Sequence, residues 1–334
     1  MTTSALDCLS RGLHSVRANW ELVPLVILQQ LVVLVLVVAS FVALVVPFGF
    51  GTAAFADLAE MDVTQLEGWL AELAADLPAL LVPLAAGLVA SLLVGLLAFV
   101  VFCWFQAGIV AVLAAGDRQA LPGPPRDSRL FRTFEWRAFS AWAGRYLWRY
   151  FWFINLYMVV VLAVVLVWTL LVVLALWGGE RWGTAAAVGI GCGGSLPLVF
   201  ALLVTIAWFW LAQADLPREG SSIRLASRRA LDVLGRRWPA LLLLFVLYFA
   251  ATLMLGIGFA PLSLVLPQPL ESGFAAYCLG QLVLMAVQTV FTSVLVLVFL
   301  AAVVALMRSE VPAAPPAAAA HPAGGTPPAG GAGP

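Results

Sequence analysis

The sequence contains no lysine and few charged residues of any kind. Its seventeen basic residues other than histidine are all arginines, and charged residues make up only 10% of the 334 positions, whereas 63% are hydrophobic. A soluble globule of this size needs more polar surface than such a composition supplies. The composition therefore predicts a membrane protein, and we expect no nucleic-acid partner.

Residue patterns that carry catalysis are also missing. The two histidines stand far apart, and the four cysteines are scattered singly without metal-ligand spacing. The apolar stretches hold neither paired aspartates, a His-Glu-x-x-His helix, nor a serine with a histidine. We therefore predict a protein that is not an enzyme and has no catalytic, cofactor-binding or metal-binding residues and no cofactor. Activity supplied by a partner chain is left open.

Long apolar stretches, in contrast, are abundant. Six charge-free stretches each exceed the ~20 residues that cross ~30 Å of hydrocarbon. No Asp, Glu or Arg lies within them, which argues against ion-coupled transport. The predicted fold is all-α, a polytopic membrane domain over 1–310 followed by a disordered Pro/Ala/Gly tail at 311–334. The predicted spans are about 22–46, 80–103, 154–178, 184–212, 239–264 and 277–305.

The arginines predict the orientation. If each stretch crosses once, sixteen of the seventeen arginines lie on one side and only Arg181 lies on the other. Arginine excess marks cytoplasmic segments, so we expect a multi-pass protein of the bacterial plasma (inner) membrane with both termini cytoplasmic and an acidic outer loop at 47–79. The alternative is that a signal peptidase removes the first helix after the Ala54-Phe55-Ala56 triplet.

The same rule decides how often the second apolar stretch crosses. The stretch at 77–116 is about twice as long as one crossing needs. Two crossings would place the arginine-rich loop at 118–149 outside, against the positive-inside rule. We therefore expect one crossing, continued by an interfacial extension through Trp104, Phe105 and Gln106.

Three cytoplasmic segments share one design, a basic amphipathic helix that leads through a tryptophan into a span. They lie at the N-terminus, at 131–152 and at 222–238. In the first, Leu9, Leu13 and Val16 form the apolar stripe, and aligning its tryptophan with that of the third pairs Arg11 with Arg229. This pattern predicts three hairpins, each preceded by a cytoplasmic-side interfacial helix. The alternative is that all positive-inside junctions look alike.

Two features inside the spans have alternative interpretations. Gln281, Gln288 and Thr292 share one face of the last span, where they would form hydrogen bonds across helices or line a hydrophilic path. Glycine-rich stretches at 189–197 and 256–261 indicate packing sites or kinks. Alternatively, they are helix breaks of the kind that coordinate substrates in transporters.

One short motif carries a family resemblance. The residues REGSSIRLAS at 218–227, then AL at 230–231 and GRRW at 235–238, resemble an element of bacterial six-span proteins in which an acidic-glycine turn precedes a basic amphipathic helix and the fifth span. With the hairpin layout, the chain resembles the uncharacterised membrane-domain family found alone or fused to glycerophosphodiester phosphodiesterases. The resemblance implies no catalytic residue here and a role in envelope maintenance or as a lipid-binding scaffold.

The predicted function is accordingly that of a non-enzymatic integral membrane protein that binds anionic lipid headgroups, since an arginine near an anionic leaflet contributes ~1 kcal/mol. The alternative is a transporter or channel for an uncharged or lipid-like solute. The predicted headgroup contacts are Arg11, Arg17, Arg145, Arg149, Arg224, Arg228, Arg229, Arg236 and Arg237.

Overall fold

A computed structural model of the chain describes residues 4–45, 63–120, 127–218, 221–265 and 274–310. These residues form seven α-helices and one short 3-10 helix, with no strand among them. The predicted tail at 311–334 and the Ala54-Phe55-Ala56 triplet lie outside the described residues. The helices are α1 (Ala5–Ala18), α2 (Leu22–Val45), α3 (Val63–Gln119), α4 (Trp136–Trp182), α5 (Thr184–Asp215), α6 (Ile223–Val265) and α7 (Phe274–Glu310), with the 3-10 helix at Ser128–Phe131.

Helices α2 to α7 are each long and apolar enough to cross a membrane, which confirms the predicted all-α, six-span fold. Most exceed one bilayer in length. The 57 residues of α3 correspond to about 85 Å of helix, against ~30 Å of hydrocarbon. Part of the loop predicted at 47–79 is therefore helical, because α3 already begins at Val63.

The buried core lies at one end of the bundle, which we call the arginine-rich end. There the C-terminal parts of α3, α5 and α7 meet α1 and the N-terminal parts of α2, α4 and α6. Residues 107–113 of α3 and 297–307 of α7 are buried on every side. The extension of α3 that we expected at the interface is therefore enclosed by protein. Its residues are apolar all around the helix, as a central helix requires.

The rest of the bundle exposes its apolar side chains. Large hydrophobic residues such as Val82, Phe200 and Met254 point away from the protein on every candidate span. A surface this apolar suits contact with lipid rather than water. At its far end, α4 and α5 are joined by Gly183 alone, whose φ of 88° lies in the left-handed region that favours glycine.

The three amphipathic segments differ in how they join the spans. Helix α1 is separate from α2, whereas the second segment from Trp136 onward and the third from Ile223 onward are continuous with the spans of α4 and α6. Only the third bends, at Arg237 (φ −125°, ψ 22°), two residues before Pro239. Proline lacks the backbone N–H and its ring crowds the preceding helical turn, which accounts for the bend.

The three segments nevertheless bury the same helical face. Each packs against the second, fourth or sixth span, at the end of that span that we predicted to be cytoplasmic. Helix α4 packs on α3 (the second span), α6 on α5 (the fourth) and α1 on α7 (the sixth). The approach of α1 is close, because a Cβ at position 12 would lie 2.6 Å from the carbonyl oxygen of Val298. The buried positions recur at i, i+4 and i+7, and they are Cys8, Gly12 and Ser15; Phe139, Ala143 and Tyr146; Ala226, Ala230 and Val233.

Candidate lipid-headgroup interface

A buried ion-pair cluster at the arginine-rich end joins three helices through Asp117. One carboxylate oxygen of Asp117 accepts hydrogen bonds from Nε and Nη2 of Arg11 at 3.0 and 2.7 Å, and the other accepts one from Nη1 of Arg308 at 3.0 Å. Arg11 and Asp117 are only 7% and 3% exposed. Because buried charges require partners, this cluster fixes α1 against α3 and α7.

Asn19, in the break between α1 and α2, forms a second buried connection. Its Nδ2 donates to the carbonyl oxygens of Ser15 and Phe131, and its Oδ1 accepts from the backbone N–H groups of Thr133 and Phe134. Both ends of the amide are therefore used, which fixes its orientation. The segment after the 3-10 helix is thereby tied to the end of α1. Sequence reasoning missed Asn19, because an isolated asparagine beside a span carries no recognisable signal.

A second ion-pair cluster surrounds Asp215 at the end of α5. Its carboxylate accepts hydrogen bonds from Nη1 of Arg229 at 3.1 Å and from Oγ of Ser221 at 3.0 Å, and Nη1 of Arg218 lies 3.9 Å away. Nearby, the hydroxyl of Tyr150 donates to the carbonyl oxygen of Gln213 at 2.7 Å. These contacts hold the start of α6 against the end of α5.

The arginines predicted to contact headgroups therefore fall into different environments. Arg11 and Arg229 lie in the two carboxylate clusters; Arg11 is buried there, which leaves little of its guanidinium for a lipid, whereas the side chain of Arg229 stays 27% exposed. The guanidinium groups of Arg145 and Arg149 lie over the ring of Tyr146, at 5.7 and 5.5 Å from its centroid. Arg237 lies at the bend of α6. Contact of any of these side chains with headgroups stays a prediction.

The remaining predicted contacts, Arg17, Arg224, Arg228 and Arg236, are exposed. Nε of Arg236 donates to the carbonyl oxygen of Asp232 within α6. Among the described residues, none of these four forms an ion pair. Exposed tryptophans lie on the same two segments, namely Trp20 and Trp238, and the second segment also exposes Trp148 and Trp152. Arginine beside tryptophan is typical of the membrane–water interface.

The outward face of α1 differs from the predicted stripe. Val16 is buried, but Leu13 points outward together with Leu6 and Trp20. The face that packs on α7 carries small residues instead, because the two helices approach closely. The large apolar residues of α1 are therefore available to lipid.

The polar stripe of the last span is not joined to other helices. Gln288 is exposed, and the hydroxyl of Thr292 donates to the carbonyl oxygen of Gln288 within α7 at 2.9 Å. Such bonds to the preceding turn are common for threonine in helices. Gln281 is half-buried, and neither glutamine side chain hydrogen-bonds across helices within the described ranges.

The two glycine-rich stretches lie within continuous helix. Helix α5 runs through 189–197 and α6 through 256–261. Gly194 lies directly against Leu171 of α4, so a side chain at this position would clash. The stretch at 189–197 therefore acts as a packing site. Neither glycine-rich stretch is a break in its helix, so neither has the geometry by which broken helices coordinate a substrate. In the part of the chain that the structure describes, no group of three His, Cys, Asp or Glu residues could hold a metal ion.

Comparison of the chain with models of protein families, with curated proteins and with solved structures gave no match. The resemblance to the six-span family therefore stays a prediction, and it depends on the short motif at 218–238. In the structure, the described part of this motif contributes Arg218 and Ser221 to the cluster around Asp215, and Arg229, which lies between two parts of the motif, completes the cluster. The rest of the motif belongs to α6 up to its bend at Arg237.

Proposed function

We propose that this protein is a non-enzymatic multi-pass protein of the bacterial inner membrane whose arginine-rich end faces the cytoplasm and binds anionic lipid headgroups, as a scaffold or in envelope maintenance. The observation that carries the proposal is the division of the arginines. The carboxylates of Asp117 and Asp215 already bind the inward-facing arginines. Arg17, Arg224 and Arg228 remain exposed, and exposed tryptophans lie on the same two segments, Trp20 just after α1 and Trp238 in α6.

The physical basis is electrostatic and depends on depth. Each arginine near an anionic leaflet contributes ~1 kcal/mol, and tryptophan prefers the level of the headgroups. Exposed leucines on α1 add apolar contact at the same level, as in helices that lie in the interface. The family resemblance agrees with a role of this kind, in which the chain itself performs no reaction.

Lipid selectivity tests this proposal directly. The protein would be taken into lipid discs made from equal amounts of phosphatidylglycerol and phosphatidylcholine, and released for native mass spectrometry. We expect phosphatidylglycerol to dominate the retained lipid, because only its headgroup carries a net negative charge that attracts arginine. Equal retention of the two lipids would exclude the proposal.

Reporter fusions test the orientation separately. Green fluorescent protein fused to the C-terminus should fluoresce, whereas alkaline phosphatase inserted at Gly183, in the turn at the opposite end of the bundle, should be active. An active phosphatase at the C-terminus would reverse the orientation, and the arginines would then face away from the cytoplasm.

A further inference from the structure

A groove of about 570 Å³ opens on the side of the bundle where α4, α5 and the start of α6 meet. Its walls are mostly apolar and include Leu156 and Val160 of α4 and Val204 and Trp208 of α5. In each pair the two residues are one helical turn apart, so the walls run parallel to the spans. The volume falls within the usual range for ligand sites, about 300–1,000 Å³.

One edge of this groove is basic. Arg224, Ser227 and Arg228 line it, and their i, i+3 and i+4 spacing places them on one face of α6. Both arginines are exposed, and neither forms a hydrogen bond or ion pair with a described residue. The hydroxyl oxygen of Ser227 is buried and also has no hydrogen-bond partner within the described ranges.

We propose that this groove binds one anionic phospholipid, with its phosphate between Arg224 and Arg228 and an acyl chain against Leu156, Val160, Val204 and Trp208. The occupant follows from the combination of charge and shape. Two arginines suit a phosphate group, which accepts paired hydrogen bonds from a guanidinium. The apolar walls lead from this headgroup site toward the exposed hydrophobic side chains of the spans, which suit contact with the acyl chains of the bilayer. A free phosphate ion would use only the basic edge.

This site rests on the proposed function, because it identifies where part of the anionic lipid binds. Native mass spectrometry from the same discs would compare the wild type with Arg224→Gln/Arg228→Gln, which removes the basic edge, and with Val204→Trp, which fills the groove. The matched controls are Arg129→Gln/Arg137→Gln, which removes two other exposed arginines, and Val199→Trp, on the exposed face of α5 outside the groove.

We expect both groove variants to retain one phosphatidylglycerol fewer per chain than the wild type, and both controls to retain as many as the wild type. Retention at the wild-type level by either groove variant would overturn the site while leaving the proposed function in place. Loss in the controls to the same extent would also overturn it, since binding would then follow net charge. If the wild type itself shows no preference for phosphatidylglycerol, the proposed function fails and the groove site fails with it.

Discussion

The two aspartates at the ends of α3 and α5 bind arginines in different ways. Asp117 joins α1, α3 and α7, which lie at the beginning, middle and end of the chain. Among the described residues, Asp215 binds Arg218, Ser221 and Arg229, which follow it in the next turn and at the start of α6. The first cluster therefore holds distant elements together, whereas the second shapes one connection between neighbouring helices.

The clusters also differ because only the first contains a buried arginine. Arg11 is almost fully buried, whereas the side chains of Arg308 in the same cluster and of Arg218 and Arg229 in the other are 33%, 26% and 27% exposed. A buried charge that loses its partner cannot be hydrated, whereas a partly exposed charge can. The same residue pair, arginine with aspartate, should therefore contribute very differently to stability at the two sites.

The largest effect is expected for Asp117→Asn. This variant leaves Arg11 buried without a counter-charge, which should lower the free energy of unfolding by about 3–5 kcal/mol. Titration of the detergent-solubilised protein with SDS, followed by tryptophan fluorescence, measures the change. A loss below about 1 kcal/mol, the range of exposed ion pairs, would show that the cluster does not hold the arginine-rich end together.

Cys8 reports whether α1 detaches in this variant. Burial raises the pKa of the Cys8 thiol to about 11, so at neutral pH the thiol is protonated as well as inaccessible. In a background with the other three cysteines replaced by alanine, maleimide should react slowly with the wild type and much faster with Asp117→Asn. Slow reaction in both proteins would place the loss of stability somewhere other than α1.

Asp215→Asn should have a smaller effect. We expect a loss of about 1–2 kcal/mol in the same SDS titration, because Arg218 and Arg229 keep access to water when the carboxylate is removed. Cys8 should stay unreactive, since Arg218, Ser221 and Arg229, which bind Asp215, belong to the connection between α5 and α6 rather than to α1. A loss as large as that of Asp117→Asn would remove the distinction between the two sites.

The smallest effect is expected for Arg132→Gln. Arg132 pairs with Glu21 at 3.1 Å, but its side chain is 63% exposed. Exposed pairs of this kind contribute less than about 1 kcal/mol, so the SDS midpoint should stay close to that of the wild type. A clear shift would mean that this pair, which also joins distant parts of the chain, is stronger than its exposure suggests.

The sequence predicts the fold well because the bilayer imposes simple rules. Span length and the absence of internal charges gave six helices, and the arginine pattern limited the 77–116 stretch to one crossing, in agreement with the continuous helix α3. The alignment that paired Arg11 with Arg229 also pairs Gly12 with Ala230. Both positions are buried, Gly12 against α7 and Ala230 on the face of α6 that packs on α5.

The ion-pair clusters could not be predicted in the same way. Every charge between spans looks alike in a sequence, so Asp117 and Arg11 were indistinguishable from charges in water. Their difference arises from packing, because Gly12 of α1 lies directly against Val298 and Ala302 of α7 and allows the two helices to approach closely. The signal that could have indicated them is positional, since Asp117 and Asp215 both follow an apolar span directly.

The docking of α1 on α7 also orders the events of biosynthesis. Arg308 follows Arg11 by about 300 residues, so it is made on the order of 15–60 s later at about 5–20 residues per second. Until then, α1 lacks the helix that covers its small-residue face. Completion of the last helix is therefore the step that closes the arginine-rich end, and a chain truncated before α7 would leave its first helix undocked.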